Sequence, residues 1–78
     1  MATLRLFGPA REAAGVGRDR FDADSVESLL RLATARYPAD FATVLESCRV
    51  WVNGDDVGRD HRLTEEDEVA VIPPISGG

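Results

Sequence analysis

Lysine is missing from this 78-residue sequence; all nine basic residues are arginine. The chain therefore has no amine for Schiff-base chemistry, no lysine general base and no side-chain acceptor for an isopeptide bond. Cysteine is nearly missing too, and the single Cys48 cannot close an internal disulfide. His61 is the one histidine, which excludes a Cys/His metal cluster. No apolar run approaches the roughly 20 residues that cross a bilayer. No basic-then-apolar stretch opens the chain as a secretory signal would, so a cytoplasmic protein is expected. Positive charge is in deficit as well. Fourteen acidic residues give a net charge of −5, which works against nucleic-acid and anionic-membrane partners. What is present suffices for one small domain: 44% apolar residues supply a thin core, since a chain of this size buries only about 60% of its unfolded surface.

The apolar pattern divides the chain into elements. Thr3 to Phe7 alternates, with Leu4 and Leu6 on one face and Thr3, Arg5 and Phe7 on the other, as in a half-buried strand. Gly8-Pro9 stops it, and Ala10 to Ala14 offers one or two helical turns before Gly15. Arg18 to Ala23 reads as a short second strand, most simply antiparallel to the first. Val26, Leu29, Leu30, Ala33 and Tyr37 then recur at helical spacing. Asp24 or Ser25 can cap this helix, Asp24 with Glu27 has capping-box spacing, and Pro38 ends it. Phe41, Val44 and Leu45 suggest a further short helix. Arg49 to Asn53 is a strand with Val50 and Val52 opposing Trp51, Asn53-Gly54 is a hairpin turn, and Val57 sits on a very short strand. Leu63 points inward before an acidic turn, and Glu68 to Ile72 forms the last strand, halted by Pro73-Pro74. The first and last strands look central. A helix crossing between the halves of a mixed sheet of four to five strands makes a two-layer α+β domain over residues 1–74. Residues 75–78 form a flexible tail.

Little inside that domain suggests catalysis. Gly15-Val16-Gly17 lacks the third glycine and the following helix of a phosphate loop. His61 has Asp60 beside it but no nucleophile at a recognisable spacing, and Ser28, Ser47 and Ser76 have no base in a motif. Cys48 sits amid apolar neighbours as a small hydrophobe, although Arg49 is placed to lower its pKa. Glu65 to Glu68 lacks calcium-loop spacing and reads as a solvated turn.

The tail differs. After Ile72 the sequence is PPISGG. Two prolines hold the chain extended and prevent the sheet from continuing. Ile75 and Ser76 remain for a partner to grip, and Gly77 and Gly78 present an α-carboxylate with no side chain around it. The segment reaches up to about 20 Å. A carboxylate is a poor electrophile until coupled to AMP, and the acyl adenylate must be kept from water inside a closed site. Glycines pass a narrow channel that a Cβ would obstruct. A sulfur nucleophile then gives a thiocarboxylate and a lysine amine an isopeptide; the tail alone does not choose between them.

Three stretches carry a family resemblance: FGPAREAAG at 7–15, LTEEDEVAVIPP at 63–74, and the terminal PPISGG. Together they resemble the β-grasp, ubiquitin-like sulfur carriers, and within them the small subunits of molybdopterin synthase. The pattern differs at Glu66, where the family commonly has glycine before D-E-V, so a different turn is expected at Thr64 to Asp67. The resemblance implies that Gly78 is adenylated by a ubiquitin-activating-type adenylyltransferase using ATP, converted to a thiocarboxylate through a sulfur-donor protein, and threaded with Gly77, Ser76 and Ile75 into a large subunit. In that heterotetramer it gives sulfur to cyclic pyranopterin monophosphate to build the dithiolene of molybdenum cofactor. The chain itself binds no cofactor or metal and is not catalytic alone. Phe7, Arg11, Ile72, Pro73 and Pro74 are the candidate partner contacts, with Phe7 alternatively a second-face core residue. An acidic carrier is expected to dock beside a basic pocket. Sulfur carriage for thiamine, cysteine or tRNA thiolation, or ligation as a protein modifier, are the competing readings.

Overall fold

The computed structural model describes residues 1–74. Five strands form one mixed sheet in the order β2-β1-β5-β3-β4. Strand β1 (Ala2–Leu6) and strand β5 (Glu68–Ile72) lie at its centre, parallel, with Leu4 opposite Val69 and Leu6 opposite Val71. Both alternate buried with half-buried residues, which is why each can pair on two sides while giving only one face to the core. Strand β2 (Arg18–Phe21) adds antiparallel to β1, and β3 (Arg49–Val52) antiparallel to β5. The chain between β2 and β3 crosses the buried face of the sheet as helix α2 (Val26–Arg36) and the short helix α3 (Asp40–Leu45).

Several boundaries differ from the sequence reading, each for a local reason. Helix α1 spans Gly8–Ala14, two residues earlier than expected, because Pro9 fits a first helical turn that needs no N–H from it. Gly15, at φ 83°, closes α1 by donating its N–H to the Arg11 carbonyl at 2.9 Å. Of the two residues the sequence offered as the cap of α2, Ser25 takes the position. Its Oγ accepts from the Ser28 N–H at 3.1 Å, and Ser28 Oγ accepts from the Ser25 N–H at 3.3 Å, so Ser28 takes the place proposed for Glu27. The next loop satisfies the remaining first-turn donors: Val26 N–H reaches the His61 carbonyl and Glu27 N–H the Arg59 carbonyl, at 2.9 and 2.8 Å. Asn53 (φ 51°) and Gly54 (φ 90°) make the hairpin turn, and the short strand β4 is Asp55–Asp56, with Val57 just beyond it.

The core consists of the aliphatic face of the sheet, including Leu4, Leu6, Val69 and Val71, packed on Leu29 and Leu30 of α2 and on Phe41 of α3. Tyr37 lies edge-on between Phe21 and Phe41, with ring centroids at 6.2 and 5.0 Å. Among the described residues no helix is long and apolar enough to cross a membrane.

Candidate functional site: the root of the tail

Strand β5 delivers the chain to Pro73 and Pro74 at the end of the sheet where β1 also finishes. Gly8 adapts to that root. Its φ of +54° suits glycine, and a Cβ there would lie 3.2 Å from Pro73 Cγ. Glycine thus lets the half-buried proline pack against the start of α1. Sequence reasoning assigned Gly8 only to stopping a strand. Its partner, 65 positions away by numbering, left no local signal.

Phe7 follows Leu6 on the face opposite the core and is 40% exposed, so it is not a core residue. The Arg5 guanidinium carbon sits 5.6 Å from its ring centroid. Ile72, on the same face, is half-buried and pairs with Arg49; Pro74 is exposed. Phe7, Ile72, Pro73 and Pro74 thus gather where the two central strands end. Arg11 is set apart on α1, with its guanidinium against the backbone of Gly17: a Cβ on Gly17 would lie 3.0 Å from Arg11 Nε. Ile75, Ser76, Gly77 and Gly78, the proposed threading and reacting residues, lie outside the described residues.

The helix-free face carries charge of the sign opposite to the chain's net charge. Strand register places Arg5, Arg18, Arg20 and Arg49 there, against the carboxylates of Glu68 and Asp56. Arg49 pairs with Asp56 at 2.9 Å and Arg5 with Glu68 at 3.7 Å. A net charge of −5 for the chain therefore coexists with an arginine-rich sheet face, and the acidic surplus lies elsewhere. Trp51 occupies the same face opposite Ala70; its Nε1 is buried and lacks a hydrogen-bond partner among the described residues.

The other candidates prove to be structural. Half-burial pushes the Cys48 thiol pKa up rather than down, and its Sγ contacts the Val44 carbonyl oxygen at 3.3 Å. Gly15 is a helix cap. The acidic turn is ordered by Asp67, whose carboxylate accepts from Thr64 N–H at 2.8 Å and from Asn53 Nδ2 at 2.9 Å. Those two bonds hold its pKa below the ordinary value. Glu66 needs no left-handed conformation, for Asn53 is the one non-glycine residue with positive φ among the described residues. Among the same residues no group of three or more His, Cys, Asp or Glu is placed to hold a metal ion.

Comparison with known proteins agrees with this architecture. The chain is 37% identical over 82 residues to the molybdopterin synthase sulfur carrier subunit of Escherichia coli (strain K12), covering all of both chains. It is 38% identical over 77 residues to the subunit of the same name from Chlamydomonas reinhardtii, covering 92% of each. The solution structure of small archaeal modifier protein 1 from Methanosarcina acetivorans superimposes with a TM-score of 0.86 at 28% identity, over 99% of this chain and 95% of that one. The fold is the ubiquitin-like β-grasp. The ThiS family pattern spans residues 4–78, from β1 to the terminal glycines, and the chain belongs to that family.

Proposed function

We propose that this chain is the sulfur carrier of a molybdopterin synthase and that its reacting group is the α-carboxylate of Gly78. The observation that carries the reading is the passage from a central strand through Pro73-Pro74 into the sequence ISGG. The names of relatives that match 92% and 100% of the chain support the same role.

The chemistry follows from the carboxylate. Its oxygen attacks the α-phosphorus of ATP held by an activating adenylyltransferase, releasing pyrophosphate and leaving an acyl adenylate. The outer sulfur of a donor-protein persulfide then adds to the carbonyl carbon and AMP departs, leaving an acyl disulfide. A second thiol attacks the donor's sulfur in that disulfide, so that a donor disulfide forms and Gly78 is released as a thiocarboxylate. The tail next enters a large subunit, where the thiocarboxylate sulfur bonds to a carbon of the pterin substrate in place of an oxygen that leaves as water, and hydrolysis of the resulting thioester leaves the sulfur on the pterin and restores the Gly78 carboxylate. Phe7, Ile72 and Pro74 supply the apolar contact beside the root, and the domain serves as the handle by which both enzymes hold the tail.

The likeness to an archaeal modifier protein favours one second reading, in which a lysine amine of another protein takes the acyl group. Mass spectrometry of the intact chain after incubation with ATP, activating enzyme and sulfur donor separates the two. A gain of about 16 Da, sulfur for oxygen, is expected for the carrier. Unchanged mass with the chain joined to lysines of other proteins would establish the modifier instead. Unchanged mass without conjugates would leave an inert interaction domain.

A further inference from the structure

Arg5, Arg11 and Arg18 converge on a cleft of about 370 Å³ whose floor includes Gly17. Register sets Arg5 directly opposite Arg18 on adjacent strands, an arrangement of like charges that works against folding. Arg11 joins them from α1, its guanidinium packed against Gly17, where a Cβ would lie 3.0 Å from Nε and 3.2 Å from Cζ. The facing acid is Glu68, at 3.7 Å from Arg5; among the described residues Arg11 and Arg18 enter no ion pair. A chain with 14 acidic residues nevertheless leaves these guanidinium groups short of counter-charge.

We propose that this cleft is a binding site for a phosphate group of charge −2 or more, carried by a phosphate ester or a diphosphate. A single carboxylate has two oxygens and one charge, and one arginine fork satisfies it. Three forks arriving from β1, β2 and α1 match a tetrahedral group with three or more anionic or partly anionic oxygens. The cleft volume leaves room for part of the molecule attached to the phosphate. The proposal does not rest on the carboxylate chemistry of Gly78 and stands whether or not Gly78 carries sulfur.

The test is a proton–nitrogen NMR titration of the whole chain at constant ionic strength. Inorganic pyrophosphate, adenosine 5′-monophosphate, a short phosphoserine peptide, a triglutamate peptide and acetate serve as probes. Saturable shifts at Gly17 and at the Nε–H signals of Arg5, Arg11 and Arg18 are expected, at least about tenfold tighter for pyrophosphate than for acetate. Comparing adenosine monophosphate with the phosphopeptide identifies the source of the phosphate. Arg11→Gln should weaken pyrophosphate at least about tenfold. Arg18→Gln, on an exposed edge strand, should do the same and serves if the first variant loses its thermal transition. Triglutamate binding as tightly as pyrophosphate would overturn the proposal in favour of a carboxylate-bearing protein segment. Shifts that fail to saturate, or that persist in both variants, would overturn it outright.

Discussion

The two ends of the sheet are held by different physics. At the end where β5 begins, hydrogen bonds dominate. Asp67 caps the Thr64 turn and holds Asn53, Asn53 Oδ1 accepts from Glu68 N–H at 3.0 Å, and the Asp67 carbonyl accepts from Thr3 N–H at 3.1 Å. The loop before that turn also closes the first turn of α2. At the end where β5 finishes, two prolines donate no backbone hydrogen bonds, and the root is held by Pro73 packing on Gly8. The apolar side chains there, Phe7 and Pro74, remain exposed. One end spends its polar groups on fixing the fold, while the other leaves contact surface for a partner. Substitutions at the two ends should therefore separate stability from function.

The largest effect should come from the tail. Deleting Gly78, or making Gly77→Ala, should abolish sulfur transfer while the unfolding free energy from urea denaturation stays within about 0.5 kcal/mol of the parent. Normal complementation of a molybdenum-cofactor defect by the deletion would break the comparison at its functional end. Next comes Phe7→Asp, which places a charge in an exposed apolar contact. It should weaken binding to a large subunit at least about tenfold with little change in stability. Equal loss of binding and stability would mean that Phe7 supports the core after all. Gly8→Ala tests the root itself. The positive φ and the approach of Pro73 should together cost about 2 kcal/mol, read by urea denaturation. Asn53→Ala, at the opposite end, removes two side-chain hydrogen bonds and a residue suited to φ 51°. It should cost about 1–2 kcal/mol and leave large-subunit binding untouched.

What could be read from the sequence follows the same division. Periodicity located α2, α3 and the central strands, because Leu4, Leu6, Val69, Val71 and the α2 face carry their burial in their spacing. The turn at Asn53-Gly54 was legible because two positive φ values require that pair. Features set by distant neighbours were not. Gly8 depends on Pro73 and the Asp67 lock on Asn53, and the arginine-rich face exists only once register aligns Arg5 with Arg18. The cap was legible as one of two residues, Asp24 or Ser25: with Ser25 as cap the N3 position falls on Ser28, whose hydroxyl completes the reciprocal pair that Glu27 would have completed for Asp24. Net charge does not show the arginine-rich face for the same reason that register was hidden, since a sum over the chain says nothing about which face carries which sign.

The smallest predicted effect concerns the polar staple that ties β2 to the end of α2. Tyr37 donates its hydroxyl to Asp19 at 2.8 Å, Arg36 pairs with the same carboxylate at 3.0 Å, and the Arg36 guanidinium lies 4.0 Å from the centroid of Phe21. Partial burial pulls the Asp19 pKa upward, but the bonds from Tyr37, the Arg20 N–H and Arg36 outweigh it and leave the value below 3.8. Burial, then the hydrogen bond to Asp19 and its negative charge, pushes the Tyr37 pKa well above 10.0. The signs define a window. Asp19 contributes stability above its unfolded value and loses it as pH falls through the lower folded value. Tyr37 contributes below its unfolded value and loses it as pH rises through the higher folded one. Tyr37→Phe should therefore cost about 1 kcal/mol at neutral pH and flatten both limbs of the stability profile. Urea denaturation from acid to alkaline pH measures it. A uniform loss across the whole range would assign Tyr37 to packing between Phe21 and Phe41 alone, and would place β2 among the elements held by the core rather than by its polar edge.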